Sequence, residues 1–127
     1  MTFEKARRRV MVIEDNIDTV RTLVALLRVE GHDVQYAING YAALALAPKF
    51  SPEIVILDLG LPGLNGFEVC SRLRKLRGFQ STRFIAVSGY CTEADRARSR
   101  AVGCEAHLSK PADPNQIVAL VEREHRL

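Results

Sequence analysis

The chain of 127 residues lacks any apolar run long enough to cross a membrane. It also lacks a secretory signal. In MTFEKARRRVMVIEDN a basic stretch leads into only four apolar residues, Val10 to Ile13, before Glu14 and Asp15, whereas a signal needs a longer apolar core and a small-residue cleavage site. Both absences lead to the expectation of a cytoplasmic protein with no membrane partner. Cys70, Cys91 and Cys104 show no CxxC spacing, so they read as isolated core or surface fillers and agree with a reducing compartment. His32, His107 and His125 have no metal-ligand spacing with them. No phosphate-binding GxxxxGK[ST] loop is present, and the first turn, EDNID, is acidic and repels phosphates, which disfavours a nucleotide-binding enzyme. Internal repeats, low-complexity tracts and linkers are absent as well.

What is present suits one compact domain spanning 1-127, with a core over about 8-122. Hydrophobic residues at 47% and charged residues at 26% are ordinary for a globular chain. The net charge of +3 comes from Arg-rich patches around Arg7–Arg9, Arg72–Arg77 and Arg96–Arg100. Few aromatics interleave with them, so they read as solvated faces with no direct nucleic-acid partner.

Apolar stretches predict strands at Arg9–Glu14, Asp33–Ala37, Ile54–Asp58, Phe84–Ser88 and Ala106–Ser109. Helical periodicity fills the gaps. Ile17, Val20, Leu23, Val24 and Leu27 share one face, with Gly31 as the stop. A short helix over Ala42–Ala47 is ended by Pro48, and a third runs over Phe67–Leu76. A fourth, near Thr92–Val102, offers only Ala94, Ala97 and Ala101 as its apolar face and is expected to be weakly anchored. The fifth, about Pro114–Glu124, is capped by Asp113 and turns Ile117, Leu120 and Val121 inward. Alternating strands and helices imply an α/β fold: a doubly wound, five-stranded parallel sheet with right-handed crossovers.

In such sheets the working groups gather at the carboxyl ends of the strands. Those ends are Glu14 and Asp15, Asp58, Ser88, and Ser109–Lys110–Pro111. Two carboxylates about 4 Å apart repel by roughly 4 kcal/mol at an effective dielectric near 20, so converging acids call for a cation. Oxygen ligands suit Mg²⁺ (or Mn²⁺), with Asp15 and Asp58 direct, Glu14 through water, and the Gly60 backbone carbonyl completing the set. Lys110 and Ser88 make a cradle for a tetrahedral anion, and Asp58 is placed to be a nucleophile toward phosphorus. Taken singly, each acid also reads as a loop residue, and Asp15 as a helix cap.

The motifs VMVIEDN, VILDLGLPGLNGFEV, FIAVSGY and HLSKP together closely resemble the receiver domain of two-component response regulators, over about Arg8–Glu122. The resemblance implies a flavodoxin-like sheet of order 2-1-3-4-5. It implies that Asp58 accepts a phosphoryl group from a phosphohistidine on a sensor histidine kinase or histidine phosphotransfer protein, with Mg²⁺ at Asp15, Asp58 and Gly60. Ser88 and Lys110 would bind the phosphoryl group, and the Lys110–Pro111 bond would be cis. Such a domain is a signalling module rather than an enzyme, although it assists its own phosphorylation and autodephosphorylation. Its output would leave through the face of the fourth helix, fifth strand and fifth helix, toward an output protein or a second copy.

The chain departs from the pattern at His107, where the family carries Tyr or Phe. Two readings stand, a flat rotamer switch and a static imidazole. Tyr90 either shields the acyl phosphate or fills surface. The chain reads as a stand-alone receiver or as the receiver of a hybrid kinase. A haloacid-dehalogenase-type phosphatase is disfavoured because Gly60 stands where a second acid is needed. A receiver-like module whose output ignores phosphorylation is the remaining rival.

Overall fold

The computed structural model describes residues 7–89 and 91–123. Among them the order is β1 (Arg9–Ile13), α1 (Ile17–Val29), β2 (Asp33–Ala37), α2 (Gly40–Phe50), β3 (Ile54–Asp58), α3 (Gly66–Arg74), β4 (Arg83–Ser88), α4 (Glu93–Ala101), β5 (Cys104–Ser109) and α5 (Pro114–Glu122). The strands form one sheet in the order β2-β1-β3-β4-β5. All four pairings are parallel, as the doubly wound reading requires.

The inner strands β1, β3 and β4 are apolar on both sides because both faces are covered there. Met11, Ile13, Val55, Leu57, Phe84 and Ala86 pack with Ala43, Ala47, Val69 and Leu73 of α2 and α3. Val10, Val12, Ile54, Ile56, Ile85 and Val87 pack with Val20, Leu23, Leu27, Ile117 and Val121 of α1 and α5. The odd and even positions of β1, β3 and β4 thus serve different layers, the period-2 signature of a pleated strand, while a register shift after Cys104 puts Ala106 and Leu108 on the α1/α5 side.

Three smaller sequence expectations change. Pro48 lies inside α2, which continues to Phe50 before Ser51 closes it in a left-handed conformation. Proline removes one backbone donor but does not prevent a final turn on a helix that is already packed. The cap of α1 is Asn16, whose side chain accepts from Thr19 N at 3.1 Å, so Asp15 does not cap the helix. Ile17, assigned to the buried face, is 44% exposed in the first turn.

The largest correction concerns α4. Ala94, Ala97 and Ala101 are exposed, and the helix buries Ser99 instead. At 100° per residue Ser99 lies opposite the alanines. Three methyl groups gain little from burial, whereas the opposite face carries groups that satisfy polar atoms of β5. Thr92 and Asp95 form a reciprocal capping box at its start.

Candidate functional site

The pleat that sorts the core also assembles the site. Glu14 follows the even-numbered row of β1, Asp58 ends that of β3, and Lys110 follows Ala106 and Leu108 of β5, all on the α1/α5 side. β1 and β3 are neighbours, with Ile13 opposite Leu57. Lys110 reaches past the end of β4, and its Nζ donates to Asp58 Oδ2 at 2.9 Å and to Glu14 Oε1 at 3.0 Å. Carboxylate oxygens of Glu14, Asp15 and Asp58 all lie within 4.8 Å of one another. Glu14 and Asp58 are buried at 4% and 7% exposure, and Asp15 is exposed. The group opens into a cavity of about 580 Å³ between α1 and α5, walled by Thr19, Leu23, Pro111 and Ile117 among others. The Lys110–Pro111 bond is cis.

The loop after β3 is held tightly against this cluster. Gly60 N–H donates to Asp58 Oδ1 at 2.8 Å. Gly66 starts α3 directly on the strand end, where an added Cβ would stand 2.5 Å from both Asp58 O and Leu59 Cα. Asn65 caps the helix by accepting from Glu68 N at 3.1 Å. The residues Gly60 to Gly66 therefore fix where Asp58 ends and α3 begins.

The two buried acids divide their charge. Burial, followed by sharing a hydrogen bond with Asp58, lifts Glu14 to about 7. Burial alone would lift Asp58 as well, but hydrogen bonds from Glu14, Lys110 and the Gly60 N–H outweigh it, and its carboxyl falls below the ordinary aspartate range. Lys110 is partly desolvated, yet its two carboxylate bonds hold the ammonium above its usual range. Asp58 is thus the acid held as an anion, and Glu14 the one carrying the proton cost.

Ser88 is buried at the end of β4, in register with Ser109, and its carbonyl accepts from Lys110 N at 2.8 Å. His107 belongs to the odd row of β5 and faces α4. Its Nδ1 lies 3.1 Å from Ser99 Oγ and its Nε2 3.5 Å from Cys91 Sγ. Ser99 Oγ donates to Arg96 O at 3.0 Å, so it accepts from His107 Nδ1–H and leaves Nε2 bare. Burial and the nearby Arg96 charge push the imidazole below its ordinary range. Arg96 also donates to His107 O at 3.1 Å and to Ser109 Oγ at 3.4 Å. The ring is therefore tucked between α4 and the preceding loop. Tyr90 and His125 lie outside the described residues.

Sequence reasoning missed Ser99, Arg96 and Cys91 as partners of His107. Hydropathy gives no signal for a polar inward face, although the spacing of Asp95, Ser99 and Val102 marks one side of a helix.

The family model of the response regulator receiver domain matches residues 10–122. The chain belongs to the response regulator receiver family. Receiver domains are signalling modules of two-component systems. It is 33% identical over 114 residues to Protein PilG of Pseudomonas aeruginosa, covering 90% of this chain and 84% of that protein. Chemotaxis protein CheY4 of Vibrio cholerae superposes with a TM-score of 0.87 at 25% identity, covering 93% and 98% of the two chains. A response regulator protein from Burkholderia pseudomallei, solved with a phosphorylated aspartic acid, calcium ion and citrate, superposes with a TM-score of 0.81 at 29% identity, covering 88% of this chain and 65% of that one. No helix among the described residues of this receiver is long and apolar enough to cross a membrane.

Proposed function

We propose that this receiver takes a phosphoryl group on Asp58 from a phosphohistidine of a sensor histidine kinase or histidine phosphotransfer protein, and that the acyl phosphate switches an output partner or passes onward. The observation that carries the reading is Lys110 Nζ bridging Asp58 and Glu14 at 2.9 and 3.0 Å, beside a third carboxylate, at the carboxyl ends of parallel strands. The phosphorylated aspartic acid of the Burkholderia pseudomallei relative supports it.

The donors are all oxygen and mostly anionic, which fits a hard divalent cation, Mg²⁺ or Mn²⁺, rather than a soft metal. Asp15, Asp58 and the Gly60 carbonyl would hold it, with Glu14 through water. When bound, the ion supplies positive charge that neutralises the acids and the phosphoryl oxygens. The rest of the work falls to the chain. An Asp58 oxygen attacks phosphorus, the P–N bond breaks, and the electron pair stays on the donor imidazole. No general base is needed because Asp58 is held below the ordinary range. Lys110 pairs with the transferred group, and Ser88 donates to one of its oxygens. Hydrolysis of the acyl phosphate then resets the domain.

Signal would leave through α4, β5 and α5. His107 stands between Ser99 of α4 and Cys91 of the β4–α4 loop, so a movement of that loop toward the phosphoryl group would loosen one side of its ring. The exposed Ala94–Ala97–Ala101 side of α4 is then the surface offered to an output protein or a second copy.

Treating the protein with a small phosphodonor and Mg²⁺, and in parallel with a phosphohistidine donor, tests the assignment by intact mass. A phosphoryl adduct on the native chain and none on Asp58→Asn is the expected result. No adduct with either donor, or an equal adduct on Asp58→Asn, would refute it and leave a phosphorylation-independent interaction module.

A further inference from the structure

The three cysteines are isolated in sequence, but two of them meet in space. Cys70 of α3 and Cys104 of β5 are both buried, with their sulfurs 4.0 Å apart. Cys70 Sγ also donates to Val102 O at 3.3 Å, which leaves its sulfur as the acceptor for the Cys104 thiol. Arg74, one turn along α3, donates Nη2 to Gly103 O at 2.8 Å. The pair therefore sits under the α4–β5 turn, where Gly103 adopts φ +101°.

We propose that Cys70 and Cys104 are an oxidisable dithiol, a modification site at which a hydroperoxide is reduced and an intramolecular disulfide forms. The sulfurs must close by about 2 Å to reach bonding distance, a displacement within the range of side-chain rotation. Their chemistry is already unequal. The Cys104 S–H, followed by the Arg74 charge, draws the Cys70 thiol below its ordinary range against the effect of burial. The same contact, with burial, pushes Cys104 up. With Arg74 one turn along the same helix, beside the Cys70 sulfur that accepts from Cys104, Cys70 is assigned as the attacking sulfur and Cys104 as the resolving one.

The step balances. The Cys70 thiolate attacks one oxygen of hydrogen peroxide, the O–O bond breaks, and hydroxide leaves to take up the proton that Cys70 released. Cys104 sulfur then attacks the Cys70 sulfenic acid, the S–O bond breaks, and its hydroxide leaves as water with the Cys104 proton. Two thiols lose two electrons in total, and one peroxide becomes two waters. The product ties α3 to the first residue of β5, next to the turn on which α4 ends.

Oxidation of the pair does not require phosphorylation of Asp58. Titrating the full chain with hydrogen peroxide, then alkylating remaining thiols after denaturation and mapping peptides, gives the test. The expected product is a monomer lighter by two hydrogens, with Cys70 linked to Cys104, Cys91 still alkylatable, and reversal by dithiothreitol. Cys70→Ala and Cys104→Ala, each checked for folding by circular dichroism, should both abolish the link. In the native protein itself, amide exchange at Val102–Cys104 should slow at least several-fold on oxidation. Preferential loss of the Cys91 thiol, disulfide-linked dimers, or direct conversion of Cys70 to sulfinic acid would each overturn the proposal.

Discussion

Replacing Gly66 by Ala tests how the strand that ends in Asp58 is held. The new Cβ would lie 2.5 Å from Asp58 O and 2.5 Å from Leu59 Cα. Both neighbours are backbone, so relief requires α3 to back away by about 1 Å, at an overpacking cost of roughly 1–3 kcal/mol. Ala is the better helix former and returns at most about 1 kcal/mol. The net effect is a destabilisation of roughly 1–2 kcal/mol, or a fall in Tm of roughly 3–8 °C for a chain of this size. Because the clash falls on Asp58 itself, the rate of adduct formation with a small phosphodonor should fall too. Gly60→Ala is the control for stability alone, since its Cβ would meet only Asp58 Oδ1 at 3.5 Å, an ordinary contact, although its backbone belongs to the site. Gly63→Ala meets nothing but must hold φ +75°, a strain of about 1 kcal/mol far from the carboxylate. Urea melts of the three variants, with phosphorylation rates of Gly66→Ala and Gly63→Ala, separate the causes. If Gly66→Ala is as stable as the native protein, or is matched by Gly60→Ala, helix propensity rather than close approach governs the start of α3.

Asp15→Asn should weaken Mg²⁺ binding and slow phosphorylation together, and an unchanged Mg²⁺ titration would show that Asp15 is not a ligand. Partial burial of the Glu105 side chain would raise its carboxyl, but Arg83 at 2.6 Å and Arg123 at 2.8 Å outweigh that and hold it below the ordinary glutamate range. Its stabilisation is therefore complete above the ordinary glutamate range and is lost as pH falls through the lowered folded value. Urea stability of Glu105→Gln should accordingly be lower than native at neutral pH and lose less on acidification, and parallel pH profiles would contradict this. Ser99→Ala removes the acceptor of His107 Nδ1–H and should cost about 1–2 kcal/mol. Imidazole nitrogen NMR should then show the tautomer preference relaxed, and an unaltered spectrum would mean that Ser99 does not set it.

Legibility from sequence follows the kind of force involved. Strands β2 and β3 end where hydrophobicity places them, because their inward residues are buried and a one-residue slip would turn them to the wrong face. Period 2 then carries Glu14, Asp58 and Lys110 to one side of the sheet, so the site follows from strand register and helix count. Short-range polar choices are less visible. Asn16 takes the cap that Asp15 was free to take, and only the backbone geometry of the turn distinguishes them. Cys70 and Cys104 are 34 residues apart, and nothing in their spacing encodes a contact made through two layers. Pro48 misleads because its local cost is real but smaller than what packing of α2 supplies.

The misreading of α4 has a physical meaning of its own. Hydropathy assumes that a helix turns its apolar side inward, which holds when burial is the main force attaching it. Here Ser99 and Arg96 hold the helix to His107 and Ser109, and each such bond nets about 1 kcal/mol because water competes for the same groups. A helix attached this way can exchange partners without opening an apolar core, and the cost of moving it stays within a few kcal/mol. That is the range over which one acyl phosphate, acting through the β4–α4 loop, can shift a population. The exposed alanines fit the same logic, since a face that is left uncovered within the fold is available to a partner. Under the proposed switch, the polar interior of α4 would make it the movable element, and His107 would be the group through which its attachment is adjusted.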